Sequence, residues 1–304
     1  MKRVLKWLGI VVLGLVAVVV AIVLVSNLMA RSRLGRTYQV TPAQVAVAAD
    51  AASVERGKNL VLGRAGCADC HMQDLAGGPM IDEPIMARLA AANLTPGKGG
   101  VGGNYTDADW VRAIRHGVKA DGHPVFVMPS QDFYYLSDQD LGDIIAYLKT
   151  LPPVDRETNG LSLGPLGAVL FVTGQFPPLP ADIIDHTAPR PTAAQRGVTT
   201  EYGQYLAMTS GCMACHGASL SGAPSQSGSS PDSPSSAPNL TPGGELRAWS
   251  EADFLKALKT GMTPNGRQLS TDMPWKAFSR MADDDLRALY AYVHSLPAKE
   301  YNQP

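Results

Sequence analysis

The sequence predicts an all-α protein in which two copies of one small helical domain follow an N-terminal transmembrane helix. Three observations support this fold class: a long uncharged N-terminal run, motifs that recur at a nearly constant offset, and helical periodicity in each copy with weak strand patterns throughout. A chain of 304 residues is long enough for about two domains. The expected boundaries are 1–36 for the anchor and its flanks, 37–155 for the first domain, 156–195 for a connecting segment and 196–304 for the second domain.

The N-terminal segment is predicted to cross a membrane. No charged side chain lies between Trp7 and Ala30, and the 19 residues from Trp7 to Val25 are nearly all Val, Leu, Ile, Ala or Gly. At about 1.5 Å per residue, such a helix spans a hydrocarbon core of about 30 Å. A cleaved signal peptide is the alternative, but its apolar region is usually only ~7–15 residues long. Basic residues flank both ends of the run, so charge alone leaves the orientation open.

The remainder of the chain repeats itself. Five motifs recur in the same order at offsets of 144 to 146 residues. Two copies are too few for a solenoid, which needs at least about three units, so the pattern indicates a tandem duplication of one globular domain. The matched segments are 67–71 and 212–216, 93–97 and 239–243, 108–110 and 252–254, 128–129 and 273–274, and 146–152 and 291–297.

Each copy is predicted to contain three main helices. A short periodic run precedes the first motif, a Thr or Ser three residues before an Asp begins the second helix, and a 3,4 apolar spacing marks the third. Gly117 and Gly261 are expected to end the second helix of each copy. With so few helices, each domain needs a further component to fill its core. The expected ranges are 54–61, 107–115 and 137–150 in the first copy, and 201–208, 251–259 and 283–295 in the second.

Three regions lack clear periodicity. Residues 152–191 carry eight prolines, which predicts an extended, semi-rigid segment, although its apolar residues indicate that it drapes over the domains. Residues 219–238 are rich in Ser, Pro and Gly and are expected to form a mobile surface loop. The corresponding stretch 75–92 is more apolar and is expected to be ordered.

Composition excludes several classes of protein. A net charge of −1 argues against nucleic-acid binding, which requires a basic surface. Four cysteines in 304 residues are too few for a disulfide-dense scaffold. No nucleic-acid partner is therefore expected.

All four cysteines lie in two Cys-x-x-Cys-His motifs. Structural zinc needs four ligands, thiol–disulfide exchange usually occurs in a βαβ context, and a disulfide would be strained at this spacing. Covalent attachment of a c-type haem remains, in which two thiols form thioethers and the next residue, a His, binds the iron. The predicted cofactors are two haem c groups, and the predicted binding residues are Cys67, Cys70, His71, Cys212, Cys215 and His216.

Two methionines are the candidates for the sixth iron ligand. Met128 and Met273 each lie 61 residues after the first Cys of their motif, and each precedes a proline. His/Met ligation raises the reduction potential and leaves no open coordination position for a substrate. The predicted iron ligands are therefore His71, Met128, His216 and Met273, with no catalytic residue.

For several other residues the sequence leaves two interpretations open. His116 and His123 have no histidine counterpart in the second copy and are weak ligand candidates, while His186 and His294 are expected at the surface or in local hydrogen bonds. Asn93 and Asn239 open the shared Asn-Leu-Thr-Pro motif and either fix that loop or bind a propionate. Five further residues either pack in the ordinary way or lie near a haem: Tyr105, Trp110, Arg112, Arg115 and Trp249.

Taken together, these motifs resemble the class I cytochrome c family. Each copy has a helix, Cys-x-x-Cys-His, Asn-Leu-Thr-Pro, Met-Pro and a last helix followed by Leu-Pro, over roughly 50–152 and 196–297. The chain is also similar to membrane-anchored dihaem cytochromes and to cytochrome subunits of bacterial membrane-bound alcohol and gluconate dehydrogenases. Those subunits commonly carry three haems, whereas this chain has two motifs.

The resemblance implies electron transfer by two haems rather than catalysis by this chain. It also implies that both haem domains lie in the periplasm, outside the cytoplasmic membrane that a single N-terminal helix crosses. The donor and acceptor would be redox proteins. The alternatives are a haem subunit of a membrane-bound dehydrogenase or respiratory complex and, from a different class, a dihaem peroxidase-type enzyme.

Overall fold

The computed structural model describes residues 2–224 and 236–304, and this part of the chain is mainly helical, as predicted. The predicted loop 219–238 therefore lies largely outside the described residues. The helices up to the connecting segment are α1 (Lys2–Leu34), α2 (Ala51–Leu62), α3 (Cys67–His71), α4 (Asp107–His116), α5 (Ser130–Phe133), α6 (Asp138–Leu148), α7 (Pro165–Val172) and α8 (Pro180–Ile183). Those that follow are α9 (Thr200–Thr209), α10 (Cys212–His216), a 3-10 helix (Glu245–Ala248), α11 (Glu251–Thr260), α12 (Trp275–Phe278) and α13 (Asp283–Ser295).

Helix α1 is continuous and apolar. Its most apolar 18-residue window has a mean hydropathy of 3.4, and the helix is long enough to cross a membrane. Its two basic residues in the last turn, Arg31 and Arg33, follow directly on the uncharged run. The helix therefore has the length and composition of a membrane anchor.

The first and last helices of each repeat cross at a glycine. A Cβ on Gly57 of α2 would lie 1.9 Å from the backbone oxygen of Asp143 on α6. In the second repeat, a Cβ on Gly203 of α9 would lie 2.0 Å from the oxygen of Ala288 on α13. Only glycine allows the two backbones to approach this closely, so the helix crossing is the same in both repeats.

The second helix of each repeat has the predicted caps. In α4, Thr106 and Asp109 form a reciprocal capping box, and Ser250 and Asp253 do the same in α11. Gly117 and Gly261 end these helices with φ of 66° and 73°, in the left-handed region. These expectations are confirmed.

A small sheet was not predicted. Strands β1 (Gly78–Glu83), β2 (Ala87–Ala91) and β3 (Leu161–Leu163) form an antiparallel sheet in the order β1-β2-β3. Its strands are short, β2 is rich in alanine, and β1 contains a proline and a register shift, so no alternating pattern is visible in the sequence. The stretch 75–92 is ordered, as expected, but as a hairpin.

The connecting segment is more structured than its prolines indicate. It supplies β3, α7 and α8, and its apolar residues pack with the sheet and the end of α1 in a core of their own. That core contains Ala30, Leu89, Phe126, Ala168, Phe171 and Leu179. The connecting segment therefore packs against both the end of α1 and the first repeat.

The two repeats meet through a buried polar network centred on Arg64. The Arg64 guanidinium donates to Thr209 Oγ1 and Asp140 Oδ2, and the Tyr205 hydroxyl donates to the same Asp140 oxygen over 2.7 Å. Arg196 donates to the other Asp140 oxygen, also over 2.7 Å. Arg64 and Thr209 are 145 residues apart, so they occupy equivalent positions in the two repeats.

Candidate functional site

Both Cys-x-x-Cys-His motifs form a single helical turn. Helices α3 and α10 begin at the first Cys and end at the His, so the two thiols and the imidazole lie at the first, fourth and fifth positions of one short helix. The residue before each turn, Gly66 or Gly211, has φ of 57° or 71°, in the left-handed region that favours glycine. All four cysteines are free thiols.

The histidine of each motif is held by a backbone carbonyl. His71 Nδ1 lies 2.7 Å from the oxygen of Ala92, and His216 Nδ1 lies 2.8 Å from the oxygen of Pro238. A carbonyl can only accept, so Nδ1 carries the proton and Nε2 keeps its lone pair. Burial also lowers the pKa of both imidazoles, which favours this neutral form. Each ring thus offers Nε2 to a metal.

The thiols are held in their neutral form. Burial raises the pKa of Cys67 to about 12 and, together with the nearby Asp132 carboxylate, raises that of Cys212 to about 12. The thiolate is the form that attacks disulfides and binds zinc. These thiols therefore lack the activation expected of a thiol–disulfide enzyme.

The two methionines occupy equivalent positions. Met128 and Met273 each lie two residues before a one-turn helix, α5 or α12, with the intervening proline as its N-cap. Met128 packs against the same core as Cys67, and Met273 packs against the same core as Cys212. Each half-buried thioether therefore lies in the domain of its own Cys-x-x-Cys-His motif.

The residues of each repeat fit a covalently attached haem. A pair of thiols, a histidine with a free Nε2 and a thioether are the groups that hold and ligate the iron of a c-type haem. In the first repeat, Trp110 Nε1 is buried in the same core and has no hydrogen-bond partner among residues 2–224 and 236–304. A polar substituent of the haem would supply an acceptor for such a donor.

The remaining histidines are engaged elsewhere. His116 is buried and its Nδ1 lies 2.9 Å from Nδ1 of His186, so these two rings connect α4 to the connecting segment. His123 lies 3.3 Å from Asp121, and the His294 ring packs on Tyr290 at a tilt of 37°, with ring centroids 4.0 Å apart. Among the arginines, Arg115 is fully buried and bonds to Asp138 and to the carbonyl of Leu136.

Replacing His116 by Asn is expected to weaken the acid sensitivity of the fold. Burial, with His186 and Arg115 nearby, lowers the pKa of His116 from its ordinary value of 6.5 to about 3. Below its ordinary pKa the unfolded chain binds a proton that the folded chain does not, so stability falls as the pH decreases toward about 3. Urea unfolding between about pH 7 and pH 5 should show a smaller loss in His116→Asn than in the wild type. Parallel pH profiles would contradict this assignment.

The Asn-Leu-Thr-Pro motif fixes its loop, which decides between the two interpretations of Asn93. Its side chain donates to the carbonyls of Val154 and Arg156 over 2.8 and 3.1 Å and accepts from Thr95 N and Oγ1. Asn239 donates to the carbonyl of Lys299 over 2.8 Å and accepts from Thr241 in the same way. The carbonyl that accepts from the histidine Nδ1–H lies directly before this motif. The motif therefore links that loop by hydrogen bonds to the chain after the last helix.

Replacing Asn93 by Ala is expected to lower the free energy of unfolding by about 2 kcal/mol, because it leaves several buried partners unsatisfied. Asn239→Ala removes one donated bond fewer and should cost less. Urea unfolding of the two variants measures the difference. A shift of the first haem's reduction potential with unchanged stability would instead indicate a direct contact with the haem.

Two residues that sequence reasoning missed place each motif against the other repeat. Arg280 donates to the carbonyl of Leu62 over 2.8 Å and lies 3.5 Å from Gln73, two residues after His71. Asp132 lies beside Gly211, where an added Cβ would be 3.2 Å from its carboxylate. Each residue follows the methionine of its own repeat by only a few positions, which is the signal that could have suggested them. Both Cys-x-x-Cys-His turns therefore border the interface between the repeats.

Comparison with known proteins gives one family. The Cytochrome c family model matches residues 54–152 and 200–297. The fructose dehydrogenase cytochrome subunit of Gluconobacter japonicus is 31% identical over 270 residues, which cover 81% of this chain and 53% of the relative. The cytochrome c subunit of alcohol dehydrogenase (quinone) from Gluconobacter oxydans is 29% identical and is covered to 56%, with 82% of this chain aligned.

A shorter relative matches over more of its own length. The dihaem cytochrome c-type protein of Cereibacter sphaeroides is 28% identical over 266 residues, which cover 77% of this chain and 83% of the relative. By contrast, this chain spans a little more than half the length of the two dehydrogenase subunits. The resemblance to the dehydrogenase subunits is therefore confined to part of each.

Proposed function

The chain belongs to the cytochrome c family and carries two haem c groups, and from this premise we propose that its role is one-electron transfer at a membrane surface. Each haem, when bound, supplies an iron that cycles between Fe(II) and Fe(III). The observation that carries the proposal is the duplicated set of two thiols, a carbonyl-held histidine and a methionine. Cys67, Cys70, Cys212 and Cys215 would attach the haems, and His71, His216, Met128 and Met273 would ligate the irons.

The protein supplies position and a water-poor surrounding. The carbonyls of Ala92 and Pro238 orient the proximal imidazoles and raise their basicity, as such outer partners do at metal sites. The thioethers of Met128 and Met273 favour the reduced state, because methionine ligation raises the potential. A His and a Met at each iron would leave no coordination position for a substrate.

The interface between the repeats holds the two haem sites at a fixed distance and orientation. Arg280 and Asp132 reach across from one repeat to the attachment turn of the other, and the Arg64 network lies between the repeats. A fixed separation keeps the rate of electron transfer between the haems constant, because that rate falls steeply with distance. The proposed domains, 37–155 and 196–304, thus act as one unit.

Coulometric titration of the full-length chain in detergent micelles tests this proposal. The expected result is reversible uptake of two electrons per chain, one at each haem, with no requirement for a substrate. Uptake of a single electron, or an iron that is reoxidised irreversibly by peroxide, would contradict electron transfer by two ligated haems.

A second candidate function is that of a haem subunit in a membrane-bound dehydrogenase. The similarity to cytochrome subunits of fructose and alcohol dehydrogenases favours it. Affinity isolation of the tagged full-length chain from native membranes should then recover a dehydrogenase whose substrate reduces both haems. Isolation of the chain alone, with haems that no added sugar, sugar acid or alcohol reduces, would favour an independent carrier.

We place the haem domains on the periplasmic side of the cytoplasmic membrane. Haem c attachment in this family takes place there. Protease added to intact spheroplasts should degrade both domains. Protection of the domains until the membrane is broken would reverse the orientation.

A further inference from the structure

An apolar corner lies at the N-terminal end of α7, the helix that packs on the end of α1. We use this name for Ile85, at the tip of the β1–β2 hairpin, and Leu166, in the first turn of α7. The backbone N–H of Leu166 donates to the carbonyl of Ile85 over 3.0 Å, so the two residues are held side by side. Ile85 is 69% exposed and Leu166 is 44% exposed. Two large apolar side chains thus face outward at one point on the first domain.

Helix α7 is packed on the last turns of α1. Ala30 and Leu34 of α1 share a core with Ala168 and Phe171 of α7, and Ala30 and Ala168 are fully buried there. The contact begins inside the uncharged run of α1, which extends to Ala30, and continues past Arg31. Basic residues at the end of a membrane helix extend to the lipid head groups. Helix α7 therefore lies at the depth of the membrane boundary.

The composition of α7 fits that depth. Its sequence, Pro-Leu-Gly-Ala-Val-Leu-Phe-Val, contains no polar side chain, although part of its surface is exposed. A helix that is apolar on all sides is typical of a protein interior or a membrane rather than of a water-exposed surface. The hairpin tip is attached to it closely, since a Cβ on Gly167 would lie 1.7 Å from the carbonyl of Met86.

We propose that the apolar corner, Ile85 and Leu166, inserts into the outer boundary of the same lipid bilayer that α1 crosses. The occupant is lipid because the corner belongs to the apolar helix α7, which packs on the last turns of the membrane-crossing helix α1. Burial of such side chains at the acyl boundary is favourable in proportion to their apolar area. This inference rests on the membrane anchoring of α1 and gives the first domain a second, independent contact with the membrane.

The neighbouring charges limit how deeply the corner enters. Asp82 and Glu83 precede the tip and are exposed, and Asp82 pairs with Arg88 over 3.2 Å. These charged groups remain at head-group level, because moving them into hydrocarbon is costly. Only the tip and the first turn of α7 enter the bilayer. A chain held at two points presents a constant face of the first domain to the aqueous side.

Depth measurement by electron paramagnetic resonance tests the inference on the full-length holoprotein in phospholipid nanodiscs. All four cysteines belong to the haem motifs, so a nitroxide is attached to a genetically encoded keto amino acid instead. The label is placed at Ile85 or Leu166. Leu28 on the exposed face of α1 serves as the membrane control, and Val198, 49% exposed before α9, as the aqueous control. Haem absorption verifies that each labelled protein is folded.

The readout is the ratio of collisions with oxygen, which partitions into lipid, to collisions with a water-soluble nickel chelate. We expect this ratio at positions 85 and 166 to be several-fold higher than at 198 and similar to that at 28. A ratio at 85 and 166 equal to that at 198 overturns the corner contact and leaves the anchor intact. Low collision with both reagents means that another protein copy covers the corner, which also overturns it. A low ratio at 28 overturns the anchor itself and the inference with it.

Discussion

Replacing Arg64 by Met is expected to lower the free energy of unfolding by about 3 kcal/mol and to uncouple the two repeats. The Arg64 and Asp140 side chains are only 3% and 1% exposed. Removing the arginine leaves the Asp140 carboxylate buried with Arg196 as its remaining basic partner, and it leaves Thr209 without its donor. A buried charge that loses its partner is strongly destabilising, whereas a surface pair contributes little.

The matched control is Arg287→Met. Arg287 pairs with Glu251 and Asp284 at the surface of the second repeat, and its side chain is 40% exposed. This change should cost at most about 1 kcal/mol. Urea unfolding of the holoproteins in detergent, followed separately at each haem, should show one shared transition in the wild type and two in Arg64→Met. A single unchanged transition in Arg64→Met would contradict a structural role for the network.

Replacing Met273 by Ala is expected to open the second haem iron to carbon monoxide and to lower its reduction potential. The thioether is the proposed sixth ligand, and methionine ligation stabilises Fe(II). Met128→Ala should do the same at the first haem alone. The reduced full-length proteins are titrated with carbon monoxide, and the wild type should bind none at either site.

Met262→Ala is the control for loss of a half-buried methionine in the same repeat. It should leave both potentials and the carbon monoxide titration unchanged. Binding of carbon monoxide by the wild type at both haems would contradict the assigned ligands. The same opening in Met262→Ala would show that any local cavity suffices.

The helices were predictable because their signals are local. A capping box such as Thr106 with Asp109 and a terminal glycine such as Gly117 act within a few residues, and both copies carry them. The paired motifs were recognisable for a second reason. Because the domain is duplicated, each motif occurs twice in the sequence. The fold class and the cofactor follow from these two properties of the sequence.

The Arg64 network and the sheet were not predictable because their partners are distant in sequence. Nothing near Arg64 indicates that it will meet Thr209, 145 residues later, across an interface between copies. Strand β2 acquires an edge partner from β3, in a segment whose prolines favour loop structure. The alanines of β2 have little intrinsic preference for strand structure, so pairing with the neighbouring strands determines that this segment is a strand.

The role of Asn93 shows where sequence reasoning ended. An asparagine that opens a shared loop motif can bind backbone or cofactor, and its type does not distinguish these roles. The structure provides Val154 and Arg156 as partners from beyond the last helix of the repeat. The ligand assignments of Met128 and Met273 remain predictions from spacing and position.

Near-infrared magnetic circular dichroism of the oxidised full-length protein tests the central claim most directly, because it distinguishes His/Met from other axial ligand pairs at ferric haem. The account predicts two low-spin haems per chain, both with His/Met ligation by His71 with Met128 and His216 with Met273. A high-spin haem, as in a peroxidase-type enzyme, or a bis-histidine signature at either site would contradict it.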